Sequence, residues 1–92
     1  MSPVTVFLPS MLRSKADNRA SVSVAGRTIR EVIDALERAH PGLRFHLCYE
    51  SGELRPFVNI FLARENIRYL QGLETPVAPG DCLYILPSVA GG

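Results

Sequence analysis

The chain has 92 residues, enough for one domain and too few for two, and a hydrophobic share of 47% excludes a disordered linker. A domain this small buries a modest fraction of its surface, which leaves little room for a deep substrate cavity and points to a carrier or binding module. The net charge is +1, and Arg13, Lys15, Arg27, Arg30, Arg38 and Arg44 are dispersed rather than gathered into the basic stripe that nucleic-acid binding needs.

Val4 to Leu8 is apolar and β-branched and reads as a first strand, stopped by Pro9. No charged leader with an apolar stretch precedes it, and no run is long enough to span a membrane, so a cytoplasmic home is expected. Ser10 to Ala20 is polar and is expected to be an exposed loop. Ser21 to Val24 alternates strictly, as a strand with one buried face does, and Gly26 ends it.

The strongest helix signal follows. Thr28 and Glu31 have the spacing of a capping box, in which Thr28 accepts from the Glu31 amide and Glu31 reaches back. Ile29, Val32, Ile33 and Leu36 then form one apolar face, and Pro41-Gly42 supplies the stop, so the helix is expected from Ile29 to Ala39. In the ambiguous stretch from Leu43 to Glu53, Leu43, Phe45 and Leu47 are placed over one edge of the core, and Ser51-Gly52 marks a turn.

Phe57 to Leu62 reads as a strand, Ala63 to Asn66 as a turn, and Ile67 to Leu70 as a short strand. Gly72 and Pro76 punctuate an irregular stretch, and Pro79-Gly80-Asp81 turns the chain into a last strand, Cys82 to Leu86. Pro87 ends that strand. The expected organisation is a globular domain over residues 1–86 and a flexible tail over residues 87–92.

A strand hairpin, a crossover helix and the remaining strands amount to an α+β chain: a mixed sheet with one helix packed on one face. The ubiquitin-like β-grasp is the common fold with this order. Strand parity then sends Val4, Val6, Leu8, Val58, Ile60, Leu62, Leu83 and Ile85 toward the helix, and Phe7, Phe61, Tyr84 and Leu86 outward. In a β-grasp the first and third strands flank the last, so those four outward side chains are expected to form an apolar docking patch near the base of the tail.

Other reactive side chains have plainer explanations. Cys48 and Cys82 lack a paired base, and quiet packing is the ordinary role of a free cysteine. His40 and His46 have no third metal ligand, and His40 sits where a helix C-terminus favours a cation. Glu31 and Asp34 share a helix face, but the cap accounts for Glu31. No Gly-rich phosphate loop is present, so no cofactor is expected to bind the chain itself.

Phe57-Val58-Asn59-Ile60, Asn66-Ile67-Arg68-Tyr69, Gly72-Leu73-Glu74-Thr75-Pro76, Pro79-Gly80-Asp81 and the ending Ile85-Leu86-Pro87-Ser88-Val89-Ala90-Gly91-Gly92 carry a family likeness over essentially the whole chain. With these segments the chain resembles the ThiS/MoaD sulfur carriers, relatives of ubiquitin. Its Leu-Pro-x-Val-Ala-Gly-Gly ending is most similar to the branch linked to cysteine synthesis. Arg64-Glu65 departs from the Asn-Gly or Asn-Asp that such carriers often have at that turn.

The resemblance implies that the chain is a carrier and not an enzyme. Its functional group would be the Gly92 carboxylate, adenylated by an E1-like partner that uses ATP and then converted to a thiocarboxylate. Pro87, Ser88, Val89, Ala90 and Gly91 would thread the partner's channel. Six extended residues reach about 20 Å, and glycine at the end adds no Cβ to clash there. Further implied partners are a sulfur-accepting biosynthetic enzyme and a metalloprotease that releases the product, with no nucleic acid and no membrane. The small subunit of a molybdopterin synthase and a ubiquitin-like protein modifier are the alternatives that the same ending allows.

Overall fold

Two periodicities meet to make the core of the computed structural model, which describes residues 3–87. Strand β1 (Val4–Phe7) buries Val4 and Val6, and β5 (Cys82–Pro87) buries Leu83 and Ile85, each in the period of two that a pleated strand imposes. Helix α2 (Ile29–Ala39) buries Ile29, Val32, Ile33 and Leu36 in the helical period. Full burial of one such aliphatic side chain stabilises a fold by about 1.5–3 kcal/mol, so these two stripes hold the helix against the sheet.

The sheet has five strands in the order β2-β1-β5-β3-β4, completed by β2 (Ser21–Val24), β3 (Val58–Leu62) and β4 (Glu65–Asn66). β1 pairs antiparallel with β2 and parallel with β5, while β3 is antiparallel to both β5 and β4. The last strand therefore lies at the centre, between the first and third, as the expected α+β mixed sheet requires. Gly26 is needed just before the helix: a Cβ there would come within 2.9 Å of the Val32 backbone nitrogen. The helix N-terminus is pinned by the Ile29 amide donating to the Thr75 carbonyl and the Val77 amide donating to that of Arg27.

The helix limits match the expectation, and the cap is half as expected. Thr28 Oγ1 accepts from the Glu31 amide at 3.2 Å, but Glu31 Oε1 accepts from the amide of Arg27 rather than of Thr28. The last strand runs one residue further than expected, to Pro87, which pairs with Val58. Of the tail expected over residues 87–92, Pro87 belongs to this strand and residues 88–92 lie outside the described residues.

Three expectations need correction. The segment after Pro9 is not a loop throughout: α1 (Ser10–Arg13) and a 3-10 turn (Ser14–Ala16) bury Leu12 and Ala16 four residues apart. Asp17 and Asn18, both with positive φ, then reverse the chain in a conformation that Asn and Asp tolerate better than most residues other than glycine. Leu43 and Leu47 do cover the core, but on α3 (Leu43–Leu47), whose helical period turns Phe45 outward to 67% exposure.

The third concerns Ile67–Tyr69, a 3-10 turn and not a strand. Asn66 caps it by accepting from the Arg68 amide, and Ile67 is buried. Arg68 Nη2 reaches back to the carbonyls of Arg55, Pro56 and Val58 at 2.9, 3.2 and 2.7 Å. The short strand instead falls at Glu65–Asn66, opposite Leu62 and Phe61.

Candidate functional site

Alternation that buries one side of β1, β2, β3 and β5 leaves the other side to solvent. The outward positions are Ser21 and Ser23 on β2, Thr5 and Phe7 on β1, Cys82, Tyr84 and Leu86 on β5, Asn59 and Phe61 on β3, and Asn66 on β4. None of them is charged, in a chain with 21% charged residues. An extended face without charge is unusual on a solvated surface and is characteristic of a contact surface.

The four apolar side chains expected to point outward do so, and the strand order brings them together. Phe7 stacks on Tyr84 with ring centroids 4.8 Å apart. Phe61 lies opposite Tyr84 in the β3–β5 register, and Leu86 follows one step along the same face, opposite Asn59. Tyr84 is 39% and Leu86 49% exposed, while Phe7 and Phe61 are half-buried. Among the described residues no loop covers the patch. Phe61, Tyr84 and Leu86 line an open concavity of about 500 Å³, with Ala63 and Arg64 on its rim.

Arg64 was not legible as part of this site. It belongs to the two-residue connection between Leu62 and Glu65, where Ala63 takes a positive φ of 55°. The polar outward residues Thr5, Ser21, Ser23, Asn59 and Asn66 were missed as well, although the alternation of Ser21–Val24 carried the signal. Asn66 Nδ2 donates to Asn59 Oδ1 across the face at 3.2 Å. Pro87, expected at the start of the tail, has its apolar neighbours on the helix side, where it borders a groove of about 140 Å³ with Pro9, Met11 and Phe57.

The cysteines are separated from each other by the sheet. Cys48 is the buried C-cap of α3, and burial pushes its thiol up, with Arg44 and Arg30 offsetting part of that effect. A thiol so held is a poor nucleophile at neutral pH. Cys82 is half-buried on the outward face, opposite Thr5. His40 caps α2, and His46 meets the Phe45 ring edge-on at 5.6 Å. Among the described residues no group of three or more His, Cys, Asp or Glu is placed to hold a metal ion, and no helix is long and apolar enough to cross a membrane.

The sequence pattern of the ThiS family matches residues 6–92. The chain is 43% identical over 91 residues to the sulfur carrier protein CysO of Mycobacterium tuberculosis, a match covering 97% of this chain and 98% of that protein. It superposes on the crystal structure of the Amycolatopsis orientalis BexX/CysO complex with a TM-score of 0.90 and 42% identity, covering 97% of this chain and 99% of that one. Small archaeal modifier protein 1 of Methanosarcina acetivorans is also similar, with a TM-score of 0.85 and 32% identity over 100% of this chain and 98% of that one.

Proposed function

The chain belongs to the ThiS family, and from that premise we propose that it is a sulfur carrier of the CysO type, a co-substrate of other enzymes rather than a catalyst. The observation that carries this reading is the double role of β5. It is the middle strand of the uncharged sheet face, and it is also the strand whose end, at Pro87, leads into Ser88-Val89-Ala90-Gly91-Gly92. A partner that grips Tyr84 and Leu86 thereby holds the base of the segment that bears the reactive group.

That group is the Gly92 carboxylate. Ionised at neutral pH, with a reference pKa near ~3.5, it is a poor electrophile until activated. In the proposed sequence a carboxylate oxygen attacks the α-phosphorus of ATP on an E1-like enzyme, and pyrophosphate leaves. A sulfur nucleophile then attacks the acyl carbon and AMP leaves, so that one oxygen of the carboxylate is replaced by sulfur. The thiocarboxylate donates its sulfur in the synthesis of cysteine or another sulfur-containing metabolite. The globular body supplies recognition, through Phe7, Phe61, Tyr84 and Leu86, and Pro87 to Gly92 supply reach: six residues span at most about 20 Å.

The test is intact-mass spectrometry after incubation with the ATP-dependent activating enzyme, ATP and a sulfur source. One oxygen should be exchanged for sulfur, and fragmentation should assign the change to Gly92. Deleting Gly92 or adding residues after it should abolish the exchange. A carrier that still loads with an extended, untrimmed end, or whose sulfur maps to Cys48 or Cys82, defeats the reading. The likeness to small archaeal modifier protein 1 favours a second reading, a ubiquitin-like modifier. Its signature would be Gly92 joined to a lysine of another protein.

A further inference from the structure

We propose that Arg64 selects the activating partner by pairing with a carboxylate on that enzyme, at the rim of the apolar concavity; this rests on the docking role assigned above to the sheet face. Arg64 is the one charged side chain among the residues lining the concavity, beside Phe61, Tyr84 and Leu86. It is exposed and makes no hydrogen bond or ion pair with any described residue.

Arg19, Arg27 and Arg38 also lack a side-chain partner among the described residues but do not line this concavity, whereas the remaining arginines are committed within the fold, Arg13 to the Leu8 carbonyl. Arg68 is held by three carbonyls, Arg55 donates to the Phe45 carbonyl, and Arg30 and Arg44 pair with Glu74 and Asp34. The position of Arg64 is set by a tight turn. Ala63 adopts a left-handed conformation and donates its amide to the Cys82 carbonyl at 3.2 Å, which ties the turn to β5. The guanidinium is therefore carried next to the patch without an internal partner.

Docking an apolar surface onto this concavity strips water from Arg64. A cation desolvated without a partner opposes binding, whereas a carboxylate placed opposite it forms a forked, charge-assisted pair. The same residue thus favours an apolar partner surface that carries an acid and disfavours one that lacks it, which is how specificity arises at otherwise generic hydrophobic contacts. The partner feature that fits is an apolar patch with an Asp or Glu at its edge.

The experiment measures binding of the full chain to its ATP-dependent activating enzyme by isothermal titration calorimetry, at low and at high salt. The proteins are the parent, Arg64→Gln, Arg64→Lys, Arg64→Glu and Phe61→Asp, each checked for folding by thermal unfolding. Arg64→Gln should weaken binding about tenfold at low salt and flatten its salt dependence, and Arg64→Glu should weaken it about a hundredfold. Arg64→Lys, which keeps the charge and loses the fork, should fall between the parent and Arg64→Gln. If Arg64→Gln binds like the parent while Phe61→Asp loses binding, the carboxylate pairing is wrong and the docking face stands. A loss confined to Arg64→Glu also overturns the proposal, because charge reversal repels any acidic surface. If Phe61→Asp binds like the parent, the docking face itself is wrong.

Discussion

The rings of Phe7 on β1 and Tyr84 on β5 lie 8° from parallel with centroids 4.8 Å apart, brought opposite each other by the parallel register of the two strands. This is the point at which the sheet's central pairing and its outer face coincide. A double-mutant cycle of Phe7→Ala and Tyr84→Ala should give a coupling of about 0.5–1.5 kcal/mol in urea unfolding. Strict additivity of the two single substitutions would mean that the stack contributes nothing beyond area.

Neighbouring residues on β3 should respond oppositely to the same charge. Ile60 is 1% exposed and Phe61 half-buried on the far face. Ile60→Asp should destabilise the domain by on the order of 4 kcal/mol or more, because it buries an unpaired carboxylate. Phe61→Asp should cost less than about 2 kcal/mol in stability and should instead weaken association with the activating enzyme. Equal losses of stability in the two variants would contradict the assigned strand parity.

Replacing Cys48 and Cys82 together by Ser should leave sulfur loading intact. Cys48 is 4% exposed and its thiol is pushed up by burial, so it stays protonated at neutral pH. The hydroxyl at position 48 should lower stability by about 1–3 kcal/mol, since a buried hydroxyl needs a partner that a thiol does not. Loss of loading in a variant that remains folded would assign the sulfur to a thiol.

Glu37 gives the connection between α2 and α3 an acid sensitivity. Its carboxylate accepts from the Arg44 amide and from the Gly42 amide, and those bonds, the Arg44 one first, hold its pKa below the ordinary value of 4.5. A depressed carboxylate stabilises the fold at pH above its unfolded value, and the contribution is lost as pH falls through the folded one. Glu37→Gln should therefore lower Tm relative to the parent at pH 7, and the gap should shrink below the unfolded value and close as pH falls through the folded one. A gap that persists unchanged in strong acid would show that the amide bonds, and not the charge, are responsible.

Local patterns sufficed for the features that depend on neighbours in sequence. Thr28, the four apolar residues of α2 and Pro41-Gly42 mark a helix whose limits the structure reproduces, because capping and amphipathic periodicity act within a few turns. Alternation likewise set which side of each main strand is buried, and the terminal Gly91-Gly92 with its preceding segments carried the family likeness that residues 6–92 bear out. Local patterns failed where an element is too short to show a period. Leu12 and Ala16 are two apolar positions in a polar run, and Ile67 offers one buried side chain, so neither α1 nor the 3-10 turn after β4 announced itself.

What only the tertiary structure decided is how side chains meet across the strands whose neighbours the β-grasp order implied, and what the turns carry to their edges. Parity tells a side chain which face to take but not its neighbour. The placement of β5 between β1 and β3 is what stacks Tyr84 on Phe7, sets it opposite Phe61, and leaves a whole sheet face without charge. The same closure brings Arg64 to the rim of that face and draws Arg68 back onto the carbonyls of Arg55, Pro56 and Val58. These relationships join residues far apart along the chain. They arise from the burial of α2 against the sheet, a free energy summed over the whole core that no single stretch of sequence contains.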